Sequence, residues 1–394
     1  MRSIRLCLAP LNFLIAITTP VDYCFLPVMK RGYINMAFAV WSFHLAAKSI
    51  EWGMTGGYWE GKYWTRSVSK SSSTSTTQIQ NAAPMKTDWS EIAGWTTEQF
   101  FCLRGLQYGW GQQIRVESPR LPAVIRRIFL MNLLNTSSLA FLLLVRDQKS
   151  PARALEAIGI PKFGINDFLA ESLTTLAFGF LLISGTDLSI SQMNVQCHLV
   201  HWLGKRVWIP EWILRSTDPT LAHPAFDSPH SATSLSWFWG KGWHQMFRRD
   251  FLMCGGYPAS TIARKLGGGL TAQKICGLFG SFFVSAVLHE YVVHHFAPKS
   301  HPSPHVYFQE FPASFAYFLI QPVGILLEPY IIPLIPRKMG GGWLWVLVFT
   351  LLTATPFRKQ WIRDFRLLDN VFKPLEDWNM WTFLIPGLTY DLRF

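Results

Sequence analysis

Two histidines sit where a proton acceptor is expensive to place. His289 lies within "GLFGSFFVSAVLHEYVVHH" (277–295), deep in an apolar run and followed at once by Glu290. His244 lies within "SLSWFWGKGWHQMFRRD" (234–250), between Trp243 and Gln245. Ionisable groups inside an apolar span are costly and by default functional. A lone imidazole there suits general-base work, because its near-neutral pKa lets it take a proton from a hydroxyl and burial keeps the base form present. The electrophile that would meet an alcohol at a membrane is an acyl thioester, its pantetheine arm entering from the cytosol between basic loops. Attack would pass through a tetrahedral oxyanion that needs a donor, and His244 is the candidate donor or positioning group.

The neighbours sharpen this reading. Upstream of His289, Gly277, Ser281 and Ser285 recur at steps of four. On a helix they form a slowly turning stripe of small residues that ends at the imidazole. Such a stripe either lets helices pack closely or lines a channel narrow enough for an extended substrate. If 236–250 is helical, Gly240, His244 and Arg248 share one face, while Trp239, Trp243 and Phe247 anchor a neighbouring one. Tryptophan beside charge suits a membrane surface, where indoles favour the headgroup layer and cations meet phosphate. A metal site is not expected. Glu290 and His294 give H-E-x-x-x-H, and the extra residue swings the second histidine about 140° off the face a zincin needs. His294, His295, His301 and His305 simply crowd a helix end.

The elements that must hold these residues are apolar helices. The chain has 394 residues, 49% of them hydrophobic and only 15% charged, where a soluble domain carries about 25% charged residues. Apolar blocks run over 6–26, 34–47, 128–145, 168–185, 275–293, 311–335 and 343–357. A span needs about 20 mostly apolar residues, and the blocks predict about eight to nine membrane helices, some tilted, broken or re-entrant. The expected fold is an all-α, polytopic membrane bundle. Two prolines in the first block, with no small-residue cleavage site after it, argue against a cleavable signal peptide. The net charge of +12 is spread over inter-helix segments such as "RKQWIRDFR" (358–366), which suits a membrane face or a phosphorylated cofactor and not a nucleic-acid groove. Six unpaired-looking cysteines read as free thiols.

Three regions follow. Residues 1–55 form N-terminal membrane helices. Residues 56–120 are polar, with a disordered serine-rich part (67–84) and an interfacial segment, "FFCLRGLQYGWGQQIR" (100–115). Residues 121–394 form the catalytic membrane domain. No repeat of 20–50 residues supports two symmetric transporter halves, so a transporter is the weaker, non-enzyme alternative.

"SLSWFWGKGWHQMFRR" resembles the F-W-G-x-x-W-H-Q motif of the fungal wax-synthase-like branch of the membrane-bound O-acyltransferases, and "SAVLHEYVV" resembles the superfamily's signature around its intramembrane histidine. "FDSPHSATSLSWFWG", "FCLRGLQYGWG" and "PVGILLEP" (322–329) extend the resemblance to roughly residues 100–335. It implies a multi-helix bundle with an internal catalytic tunnel, His289 as base and His244 as the second active-site residue. Trp239, Lys241, Trp243, Gln245, Arg248, Ser281, Ser285 and Glu290 are the candidate substrate and acyl-CoA contacts. Relatives often carry two arginines where this chain has Lys241 and Gly242. The implied activity is transfer of an acyl group, acetyl first, from acyl-CoA to a hydroxyl of a lipophilic terpenoid or polyketide. Long-chain wax-ester or sterol-ester synthesis is the alternative. Acyl-CoA is then a co-substrate, with no permanently bound cofactor, no metal and no nucleic-acid partner. The implied location is the endoplasmic reticulum membrane, and the oligomeric state stays open.

Overall fold

A computed structural model describes residues 2–25, 31–55, 89–105, 108, 111, 120–161, 166–221, 223–296 and 312–391. The described residues are helical, with isolated bridges in place of strands. The serine-rich stretch 67–84 and both His301 and His305 lie outside them, as does most of the interfacial segment beyond Gly105.

The chain begins with α1 (Arg2–Asp22), which packs along α2 (Gly32–Met54), followed by α3 (Trp89–Phe101). A pair of long helices comes next: α4 (Leu121–Asp147) lies along α6 (Asn166–Gly204), with the short α5 (Pro151–Ala157) between them. Ser150 caps α5 by accepting from the Arg153 N–H. After α7 (Glu211–Ser216) the chain enters an irregular region built from α8 (Leu235–Trp237), a π-turn (Phe238–Gly242), α9 (Arg248–Phe251) and a second π-turn (Leu252–Gly256). It becomes regular again in α10 (Tyr257–Lys265), α11 (Leu270–Phe296), α12 (Ala313–Ile331) and α13 (Gly342–Lys359). A third π-turn (Gln360–Asp364), α14 (Leu367–Val371) and α15 (Met380–Leu384) complete the described chain.

Helix α11 is the centre of this arrangement. It packs against α2, α10, α12 and the second π-turn. Its Val284, Ala286, Leu288, Val292 and Val293 share one buried cluster with Phe43 of α2, Leu142 of α4, Phe178 of α6, Phe318 of α12 and Phe357 of α13. Exposed apolar side chains cover the outer faces, among them Leu11 and Leu14 on α1 and Phe129 and Leu133 on α4. That pattern is what a helix bundle needs where lipid, not water, covers it.

Five helices among the described residues are long and apolar enough to cross a membrane: α1, α4, α6, α11 and α12. Eight to nine were expected from the apolar blocks. Two of those blocks form helices of a different character. Block 34–47 becomes α2, which buries His44, Lys48 and Glu51. Block 343–357 becomes α13, an 18-residue helix ending in Arg358 and Lys359.

Candidate active site

The tryptophan-rich segment starts as a helix that is held at its first turn. Ser234 Oγ accepts from the Trp237 N–H at 3.0 Å. Glu328, reaching across from α12, accepts from the N–H groups of Leu235 and Ser236. A buried carboxylate on otherwise unpaired helix N–H groups satisfies both partners and suits the helix dipole.

The helix then stops, contrary to the expectation of one helical face through 236–250. Residues 238–242 widen into the π-turn, closed by Trp243 N–H donating to the Phe238 carbonyl at 2.6 Å, and His244 and Gln245 lie outside any helix. Gly240, His244 and Arg248 therefore do not share a helix face. Gly242 explains the break: a Cβ there would fall 2.6 Å from the Trp237 ring, and its carbonyl accepts from Asp227 N–H at 3.1 Å. The backbone approach needs glycine.

Gln245 fixes the turn from within. Its buried amide donates to the carbonyls of Trp239 (2.9 Å) and Trp243 (2.8 Å). Trp239 in turn donates to Gln321 Oε1 on α12 at 3.0 Å. These bonds give Gln245 and Trp239, two of the candidate substrate contacts, a structural task in holding the turn. Lys241 and Arg248 are exposed.

His244 packs edge-on against Phe226 at 5.5 Å and beside Trp243 at 5.7 Å. The side chain as a whole is half-buried, yet its Nδ1 is enclosed and unpaired among the described residues. Burial, with help from the nearby His289 and Arg104, pushes its pKa down to about 3. His244 is neutral at physiological pH. Arg104 keeps its own charge, since burial lowers it only to about 10. Its two Nη groups donate to the carbonyls of His223 and Pro224, both at 2.8 Å. Asp187 of α6 holds the same loop by accepting from Ala225 N–H at 3.1 Å, while pairing with Arg127 at 2.6 Å.

His289 reaches the site from α11. Its Nδ1 lies 2.7 Å from the Ser285 carbonyl. A carbonyl only accepts, so Nδ1 carries the proton and Nε2 is left with its lone pair. The imidazole packs at a tilt against Phe318, with ring centroids 4.1 Å apart, and Trp361 lies at 6.3 Å. Phe318 also touches Trp239 at 6.1 Å, and Trp239 touches Trp243 at 5.5 Å. A ladder of rings thus runs from one histidine to the other. Glu290, about 100° further round the helix, is buried and lies 3.7 Å from His294 Nε2.

The small-residue stripe takes the packing role over its first turns. Ser281 donates to the Gly277 carbonyl at 2.9 Å and sits 2.6 Å from where a Cβ on Gly256 would be. Gly255 meets the Gly280 backbone in the same way. Ser285 is buried, and its carbonyl serves His289. Beside His244 a cleft opens between Arg104 and the 245–257 segment, lined by Gln245, Arg248, Arg249 and Tyr257; its lining holds three guanidinium groups and no carboxylate. Among the described residues no group of His, Cys, Asp or Glu is arranged to hold a metal ion.

Arg104, Gln321, Glu328 and Phe318 had no role assigned from sequence. Glu328 carried a signal, an acid inside the apolar block 311–335, where an unpaired charge would be costly. Nothing local marks Phe318 among the many aromatic residues of its helix.

Part of the chain is similar to known proteins. Residues 222–311 match the model of the membrane bound O-acyl transferase family. Over 77 residues the chain is 35% identical to the acetyltransferase pyr8 of Aspergillus fumigatus, a stretch covering 20% of this chain and 18% of that protein. No solved structure matches. The matched stretch 222–311 contains both histidines and the first two π-turns, and there the chain is similar to the membrane bound O-acyl transferase family.

Proposed function

We propose that the protein is an acyl-CoA-dependent O-acyltransferase that acylates a hydroxyl of a lipophilic acceptor, with acetyl as the favoured acyl group and a terpenoid or polyketide as the acceptor class. The observation that carries this reading is the pair of imidazoles joined by the ring ladder, with Nδ1–H of His289 committed to Ser285 and its Nε2 free to take a proton. The acceptor hydroxyl gives its proton to His289 Nε2 as its oxygen attacks the thioester carbonyl. His244, neutral, donates an N–H to the oxyanion. Collapse breaks the C–S bond, and the leaving thiolate takes the proton from the His289 imidazolium. His289 ends as it began.

Two further observations support a CoA donor acting at a membrane. The cleft next to His244 is lined by Arg104, Arg248 and Arg249; Arg249 is paired with Glu51, so Arg104 and the exposed Arg248 are the guanidinium groups that would meet phosphate. The site also lies among helices long and apolar enough to cross a bilayer, and the endoplasmic reticulum is the proposed location. Acetyl transfer is favoured over longer chains because the relative with 35% identity is called an acetyltransferase.

The test is mass spectrometry of microsomes containing the protein, given acetyl-CoA or palmitoyl-CoA with a panel of hydroxylated terpenoids. An acceptor that gains one acetyl group supports the reading. Gain of palmitoyl alone moves the assignment to ester synthesis with long chains. Absence of any acylated product, with CoA release no faster than in control membranes, overturns it.

A further inference from the structure

The reacting histidines come from residues 244 and 289, but the segment between them is held by a helix far upstream. Glu51 of α2 lies 1% exposed, with Lys48 donating to its Oε2 at 2.8 Å and Arg249 Nε donating to its Oε1 at 2.6 Å. About two turns earlier on the same helix, His44 Nδ1 lies 2.6 Å from Asp250 Oδ2. His44 Nε2 lies 2.9 Å from the Phe100 carbonyl of α3. The carbonyl can only accept, so Nε2 holds a proton, and the short Nδ1–Asp250 contact holds a second one shared between imidazole and carboxylate. Arg249 and Asp250 are themselves nearly inaccessible. Two adjacent residues are thus gripped from α2 by two buried charged pairs.

Their position in the chain makes this grip consequential. Arg249 lies five residues after His244 and three before the π-turn Leu252–Gly256. That turn packs closely on α11, Gly255 on Gly280 and Gly256 on Gly277 and Ser281. Glycine contacts set a close approach but leave the chain free to slide or rotate. Charged pairs with directional bonds fix the register that glycine leaves open. Phe247, between His244 and the gripped pair, also touches the His44 ring at 6.1 Å.

We propose that α2 belongs to the catalytic unit, with His44 and Glu51 as positioning residues that set the 244–256 segment, and so His244, against the α11 helix that carries His289. This assigns a task to a part of the chain outside the matched stretch 222–311, and it rests on the acyl-transfer reading for its kinetic arm only.

The experiment compares His44→Gln and Glu51→Asp with Asn135→Ala in the full chain, purified in detergent. Glu51→Asp keeps the charge and shortens the reach by one methylene, and His44→Gln keeps hydrogen bonding without the shared proton. Asn135 bonds Leu181 and Ser184 between α4 and α6, away from the segment, and serves as a control for general destabilisation. Amide exchange is followed by mass spectrometry, and steady-state kinetics is run well below each unfolding temperature. The expected result is faster exchange in 244–256 in both α2 variants, with unchanged exchange there in Asn135→Ala. The turnover number should fall at least ~10-fold with KM values within about threefold, since a misplacement near 1 Å can cost about 100-fold in rate. Wild-type exchange in 244–256 of both α2 variants overturns the proposal, as does turnover equal to the Asn135→Ala control. If the wild type transfers no acyl group, the acyl-transfer reading fails while the exchange arm still decides the clamp.

Discussion

His289 donates through Nδ1 to the carbonyl of Ser285, one turn back on its own helix, at 2.7 Å. This bond sets the tautomer and leaves Nε2 with its lone pair, the atom that the proposed reaction uses as base. His289→Ala and His289→Gln are both expected to abolish transfer, with a loss of about 10²–10⁴ in turnover, while folding and acyl-CoA binding persist. An amide can occupy the site but cannot accept the proton. The check is a purified-protein assay with labelled acyl-CoA and acceptor; near-normal turnover in His289→Gln sinks the general-base role.

The proposed mechanism has no covalent intermediate, because in it the alcohol attacks the thioester directly. Intact-protein mass after incubation with acyl-CoA alone is therefore expected to equal the mass of the untreated protein. A stable acyl adduct would show that a nucleophile of the protein takes part.

His244 makes a graded prediction. If it donates to the oxyanion, His244→Ala lowers turnover by roughly 10²–10³, the usual size for one lost donor, and His244→Asn keeps part of the activity through its amide N–H. Equal and complete inactivation of the two variants would assign His244 a proton-transfer role instead.

The same residue predicts how stability depends on pH. His244 has its pKa lowered in the folded protein from an ordinary 6.5 to about 3 by burial. Between these values the unfolded chain binds a proton that the folded chain does not, so stability falls as pH falls below about 6.5 and is flat above it on this account. His244→Asn has no such group. Its thermal unfolding temperature in detergent should decline less steeply than that of the wild type between pH 6.5 and pH 4, and parallel curves would contradict the assignment.

The glycine seam between the second π-turn and α11 should be intolerant of side chains. A Cβ on Gly255 would strike the Gly280 backbone, whereas a Cβ on Gly240 meets nothing within 4 Å. Gly255→Ala is expected to destabilise the protein by ~1–3 kcal/mol, as overpacking does, and Gly240→Ala to leave it within about 0.5 kcal/mol. Thermal unfolding in detergent measures both.

The sequence by itself determined the helical class, the apolar helices and the choice of His244 and His289 as the candidate site. Hydrophobic blocks of the right length admit little else, and an imidazole inside an apolar run announces its own cost. The bond between His289 and the Ser285 carbonyl is local, because Ser285 is four residues away and helical periodicity alone brings the two together. The path of the chain around His244 was not legible. A helix through 236–250 satisfies the same spacing, and the break at Gly242 follows from the Trp237 ring and from Asp227, which bonds the Gly242 carbonyl. The role of the small-residue stripe was open for the same reason. Its spacing allows packing or a channel, and only the approach of Gly255 and Gly256 selects packing. Tertiary structure also decided what α2 does. His44 and Asp250 are separated by 206 residues, and Glu51 and Arg249 by 198; no periodicity relates residues so far apart. Buried charges must find partners wherever the fold supplies them.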